Sequence, residues 1–129
     1  MALELKLNSA VISTIVAQAL DAYVYEAPAQ GSTLGVPWTE EKVRRHLSLL
    51  RAALVVPYLQ KFELRDTFAQ MRRLEAEIVE YWVVAVTAEC VEFYDPTSEQ
   101  FGLAANGPTN GSLGTIGVRG DLVGVFCAM

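Results

Sequence analysis

The sequence predicts an α+β domain, in which about three helices pack on one face of a C-terminal antiparallel sheet of roughly four to five short strands. Apolar residues recur at three- and four-residue spacing up to about residue 80, whereas β-branched and aromatic residues cluster or alternate after it. At 129 residues and 52% hydrophobic content, the chain fits one domain with a buried core. We therefore expect a single domain over residues 1–129, helical over about 1–80 and sheet over about 81–129.

Two amphipathic helices are predicted in the first part of the chain. Asn8 or Ser9 can cap the first helix, which ends near Glu26, before a Pro- and Gly-containing loop over residues 27–37. Thr39 can cap the second helix, which ends at Pro57. The apolar stripe of the first is Ile12, Ile15, Val16, Ala19, Leu20 and Tyr23, and that of the second is Val43, Leu47, Leu50 and Leu54.

A third helix is predicted to begin after Asp66 or Thr67. Its spacing turns four apolar side chains inward, namely Phe68, Met71, Leu74 and Ile78. Residues 58–64, which precede it, fit either a short strand or an irregular connection. Residues 81–86 favour a strand, although helical spacing through Ile78 and Trp82 also allows the third helix to continue over 78–88.

The last third of the chain is predicted to form β-hairpins. Alternation over residues 91–103, interrupted by the turn-forming sequence of residues 95–98, indicates one hairpin. A loop over residues 106–111 follows. Gly120 and Asp121 then fit the centre of a type II′ turn, which predicts a second hairpin with strands on both sides of it.

The glycine-rich run over residues 111–124 is therefore interpreted as sheet. It does not contain the GxGxxG pattern of the dinucleotide-binding fingerprint, and it cannot be a phosphate-binding P-loop because no lysine lies beyond Lys61. Arg119, Gly120 and Asp121 also spell an adhesion tripeptide, but a match of three residues arises often by chance, and the hairpin gives Gly120 a structural role.

Charge distribution restricts the class of partner. The chain carries a net charge of −5, and residues 81–129 contain one basic residue, Arg119, against five acidic ones. This acidic part repels phosphate backbones, so we expect no nucleic-acid partner. We also expect no membrane span and a cytoplasmic protein with reduced thiols, because two cysteines are too few for a disulfide framework.

The sequence offers little catalytic chemistry. His46 is the only histidine, so one chain cannot supply two histidine ligands to a metal, and we expect neither a metal nor a cofactor. His46 with Cys90 or Cys127 and an aspartate could form a nucleophilic triad, but both cysteines alternate with hydrophobic residues, as buried thiols do. We expect no catalytic residue.

Large aromatic residues and carboxylates of the sheet part mark the candidate binding surface. They are Trp82, Tyr94, Phe101, Glu92 and Asp95. Exposed aromatic side chains favour protein interfaces, although the same rings also fit the edge of a core. The sequence thus favours a non-catalytic protein-interaction domain, such as an immunity-like factor or accessory subunit, whose partner is a basic protein or a second copy. The alternative is a small-molecule binding protein or enzyme with a pocket between helices and sheet.

Overall fold

The computed structural model describes residues 7–25, 39–106 and 113–128, and it confirms the predicted α+β class. The loop predicted over residues 27–37 lies outside the described residues, as does the loop predicted over 106–111 except for Asn106, which ends β4. Four helices and five strands follow one another as α1 (Ser9–Ala22), α2 (Glu40–Ala53), β1 (Leu54–Glu63), α3 (Phe68–Met71), β2 (Ile78–Val86), β3 (Cys90–Asp95), β4 (Gln100–Asn106), β5 (Leu113–Gly120) and α4 (Leu122–Cys127).

The five strands form a closed barrel in sequence order, whereas the sequence predicts an antiparallel sheet with helices on one face. Each strand pairs antiparallel with the next, and β1 pairs with β5 in parallel at Glu63 and Gly114. An odd number of strands in an antiparallel meander leaves the first and last strands pointing the same way. The closing contact is therefore parallel, and it joins residues that are far apart in the sequence.

The first two helices form with the predicted caps, and the first ends at Ala22 rather than near Glu26. The side chain of Asn8 accepts a hydrogen bond from the Val11 amide, and that of Thr39 accepts one from the Lys42 amide. The second helix ends at Ala53 rather than at Pro57, because the chain enters β1 there. Pro57 lies within β1 where the pairing register to β2 shifts, a position that tolerates a residue without an amide hydrogen.

The predicted third helix is reduced to the single turn of α3. Its cap is as expected, since Thr67 and Gln70 form a reciprocal capping box. The chain then turns back, the Leu64 amide donates to the Glu77 carbonyl, and β2 begins at Ile78. Residues 81–86 are thus part of a strand, as the sequence favours, and this strand begins earlier, at Ile78. The four side chains predicted to face inward from this helix are instead exposed: Phe68, Met71, Leu74 and Ile78.

The predicted C-terminal hairpin is wrong. Gly120 is the last residue of β5, and Asp121 caps α4 by accepting a hydrogen bond from the Gly124 amide. Four apolar residues of α4 are buried, namely Leu122, Val123, Val125 and Phe126. The predicted division of the chain also changes, because β1 lies in the part predicted to be helical and α4 lies in the part predicted to be sheet.

The barrel separates two apolar clusters. One is the barrel interior, where Phe62, Tyr81 and Phe93 pack their rings together. The other joins α1, α2 and α4 to the outer face of β2, β3 and β4, and it includes Tyr94 and Phe101. Among the described residues, no helix has both the length and the apolar character that crossing a bilayer requires.

Candidate functional site

Three of the five predicted binding residues lie in one row across the sheet. Trp82 of β2 pairs with Tyr94 of β3, which pairs with Phe101 of β4, so their side chains share the outer face of the barrel. The exposure expected for this row is wrong at Tyr94 and Phe101, which are 6% and 5% exposed because they pack in the cluster that includes α4. Trp82 is half-buried at the edge of that cluster.

Asp95, a further predicted binding residue, belongs to a polar network at one end of the barrel. Arg119 donates to Asp95 at 3.0 Å, to Asp66 at 2.7 Å and to the Tyr81 hydroxyl at 3.2 Å. The Arg119 guanidinium also lies 4.9 Å from the centre of the Phe93 ring. Asp95 in addition accepts hydrogen bonds from the turn that follows it. Because its oxygens have partners within the chain, Asp95 is assigned a structural role.

Replacing Arg119 by Met is expected to lower the free energy of unfolding by about 2 kcal/mol, because two carboxylates lose their charged partner in a partly buried site. The loss stays below that of a fully buried pair, since the Arg119 side chain is 18% exposed. Arg119→Lys, which keeps the charge but not the planar geometry, should lose less. Urea unfolding measures both changes, and a Met variant as stable as the wild type would exclude this role for the network.

Glu92, the remaining predicted residue, is a buried carboxyl rather than a surface one. It lies between Ala85 and Leu103 on the outer face of the sheet, beneath the helices, and it is 0% exposed. Neither of its carboxyl oxygens has a hydrogen-bond partner. Burial, together with the charge of Asp121, raises the pKa of Glu92 from 4.5 to about 9. Glu92 is therefore protonated and neutral at pH 7.

An open hollow of about 400 Å³ lies beside α2 and the turn between β2 and β3. His46 and Cys90, two residues of the conceivable nucleophilic triad, both line it, together with Leu49, Thr87, Ala88, Glu89 and Phe126. Burial raises the pKa of the Cys90 thiol and that of the Cys127 thiol, which keeps both in the less nucleophilic protonated form. Asp95 does not supply the aspartate of such a triad, because it forms an ion pair with Arg119.

The outer surface of the β1–β2 hairpin exposes two large apolar side chains, Leu59 and Ile78. Leu59 pairs with Trp82, Lys61 with Glu80, and Glu63 with Ile78, so each pair projects on the same side. We define the β1–β2 face as Leu59, Lys61, Ile78, Glu80 and Trp82. Residues 64–77, the connecting segment, extend from its end and expose Phe68, Met71 and Leu74.

Of the β1–β2 face, sequence reasoning identified only Trp82 as a binding residue. Leu59 lies in residues 58–64, for which the sequence allows either a strand or an irregular connection. Ile78 is predicted to face inward from the third helix. The available signal was the alternation of Leu59 and Lys61 with Gln60 and Phe62, which places two residues on each side of a strand. That pattern indicates a strand but does not show which side a neighbouring element covers.

In the part of the chain that the structure describes, no group of three or more histidine, cysteine, aspartate or glutamate side chains is placed to hold a metal ion. Comparisons of the chain with protein-family models, with curated proteins and with solved structures gave no match.

Proposed function

We propose that this protein is a small non-catalytic interaction domain that binds another protein chain through the β1–β2 face and the connecting segment. The observation that carries the proposal is the position of its exposed apolar residues. Among the described residues, twelve large apolar side chains are exposed, and five of them lie on the β1–β2 face or the connecting segment, namely Leu59, Phe68, Met71, Leu74 and Ile78. Apolar side chains concentrated in this way on one part of a surface mark protein interfaces.

The arrangement of the helices supports the choice of this face. We infer that α1, α2 and α4 share the outer side of β2, β3 and β4 as one layer, since their apolar residues belong to one cluster with that side of the sheet. Beyond Trp82, at the edge of that cluster, the described residues leave the outer side of the β1–β2 hairpin open from Leu59 onward, whereas α1 lies beside the start of β1, around residues 54–57. Leu59 is 48% exposed and Leu74 is 100% exposed, so water contacts side chains that a partner would bury.

Site-specific photo-crosslinking in the source cells tests the proposal. A photoreactive amino acid at Ile78 should form discrete crosslinked species, because a partner chain covers this position. The matched control is Leu49 of α2, which is 58% exposed against 57% for Ile78 but lies on the helical side of the molecule. Identical crosslinking patterns at the two positions, or none at Ile78, would remove the support for this function.

Small-molecule binding at the hollow beside α2 is the second candidate function. It is favoured by a volume of about 400 Å³ and by polar groups from His46, Thr87 and Cys90 along its wall. If this candidate is correct, Ala88→Trp, which fills the hollow, abolishes the chemical-shift changes that a bound compound causes at Leu49 and Phe126. A fragment screen that produces no change at these residues argues against it.

A further inference from the structure

We propose that the partner bound by the β1–β2 face is a second copy of this chain, arranged about a two-fold axis parallel to β1 and β2. This inference rests on the proposed function and names its partner. It follows from a pair of opposite charges at the centre of the face and from the apolar residues beside them.

Lys61 and Glu80 are opposite one another on adjacent strands, and both are exposed. Among the ion pairs of the described residues, neither of them takes part in one. Each charge is therefore available to an incoming chain. The face presents one positive and one negative group side by side, and Glu63, which projects on the same side, is paired with Arg65 at 2.8 Å, so these charges balance.

A two-fold interface requires a surface that is complementary to itself. An axis parallel to the strands, midway between β1 and β2, places Lys61 of each copy against Glu80 of the other. The same axis places Leu59 of each copy against Trp82 of the other, because these two residues form the adjacent pair in the strand register. An axis perpendicular to the strands would instead oppose Lys61 to Lys61, so the charges select the parallel arrangement.

The charge of the whole chain favours this face over other surfaces for self-association. Two copies, each with a net charge of −5, repel one another unless they meet where the local charge is balanced. The β1–β2 face meets that condition. A stable dimer buries about 800 Å² of each partner. The exposed apolar side chains of the connecting segment, Phe68, Met71 and Leu74, extend the contact beyond the five residues of the face.

Sedimentation velocity of charge-reversed variants tests the arrangement. The wild type is expected to sediment as a dimer at about 100 μM, a concentration at which micromolar affinity suffices. Lys61→Glu and Glu80→Lys should each weaken self-association about tenfold or more, because both charge contacts of the interface become repulsive. An equimolar mixture of the two variants should associate again, since every contact then joins opposite charges. Arg45→Glu, a reversal of an exposed charge on α2, should behave as the wild type.

Weakening in each single variant together with recovery in the mixture supports the proposal, because an interface that opposes Lys61 to Lys61 already joins like charges in the wild type and would not be weakened by either reversal. A wild-type monomer at this concentration overturns the second copy as partner. If Ile78 still crosslinks to a different protein in cells, the proposed function survives that result. A wild-type dimer that persists in both single variants, or a mixture that stays monomeric, places the dimer contact elsewhere and overturns the arrangement.

Discussion

Replacing Glu92 by Gln is expected to raise the free energy of unfolding at pH 8 by about 3 kcal/mol and to change it little at pH 5. The difference arises because the Glu92 carboxyl is completely buried and its oxygens lack hydrogen-bond partners. Ionising it in that position places an unpaired charge beneath the helices. Glutamine has the same shape and carries no charge at any pH.

The direction of the pH dependence follows from the raised pKa of Glu92. Between the ordinary value of 4.5 and the folded value of about 9, the folded protein holds a proton that the unfolded chain has released. Stability contributed by this proton is complete below about pH 4.5 and is lost progressively as the pH rises toward 9. Wild-type stability should therefore fall between pH 5 and pH 8, and most of this fall should be absent from the Gln variant.

Urea unfolding of both proteins at several pH values between 5 and 8 measures the effect. The range stops at pH 8 because burial also raises the pKa of the Cys90 and Cys127 thiols, which would contribute above it. Glu89→Gln removes an exposed carboxylate from the adjacent turn and is the matched control. Parallel curves for wild type and Glu92→Gln across this range would show that Glu92 is not a buried neutral acid.

Replacing Gly102 by Ala is expected to destabilise the protein by about 3 kcal/mol through overpacking of the barrel interior. A Cβ atom at Gly102 would lie 2.4 Å from the Cζ atom of Phe93. The Phe93 ring cannot move aside, because it stacks on the Tyr81 ring with ring centres 4.7 Å apart. The Arg119 guanidinium also lies over the Phe93 ring, 4.9 Å from its centre. If space were available, the same substitution would stabilise the strand by about 0.5 kcal/mol, so the two outcomes differ in sign.

A double-mutant cycle identifies the cause of this loss. Gly102→Ala should cost at least about 1 kcal/mol less in a Phe93→Leu background, where the smaller side chain leaves room for the added methyl group. Equal costs in both backgrounds would attribute the loss to something other than the contact with Phe93. Thermal unfolding of the four proteins gives the required values.

The β3–β4 hairpin shows how local sequence patterns predicted part of this fold. Residues 91–103 alternate, and Asp95 begins a run of turn-forming residues, so the two strands and their turn followed from neighbouring residues alone. In the structure Asp95 accepts hydrogen bonds from the Thr97 amide and the Ser98 hydroxyl, which is the turn chemistry that its residue type predicts. The caps of α1, α2 and α3 follow from local sequence in the same way.

Elements that depend on distant contacts could not be predicted. Leu122, Val123, Val125 and Phe126 fit an alternating strand as well as a short helix, and the packing of α4 on the sheet decides between them. Barrel closure depends on a contact between Glu63 and Gly114, which no local pattern reports. The third helix is predicted to be longer than it is. Its cap forms, but β1 pairs with β2, and the residues after Met71 therefore lead the chain back to β2 instead of extending the helix.

The candidate site was predicted less well than the fold. Trp82, Tyr94 and Phe101 do share a face, as strand alternation and pairing require, but α4 helps to bury the last two. Conversely, Leu74 and Ile78 appeared buried because apolar residues at helical spacing usually are. Exposure is a property of the assembled fold, so the position of the open apolar face was available only from the structure.

The central claim is that the β1–β2 face is covered by a second copy of the chain. Methyl NMR of the protein at about 100 μM, with a soluble paramagnetic relaxation agent, tests it directly. We predict that the methyl groups of Leu59 and Ile78 are protected from the agent, while those of Leu49, exposed to a similar extent in a single chain, are strongly relaxed. Equally strong relaxation at all three residues would contradict the claim, because the face would then be open to solvent.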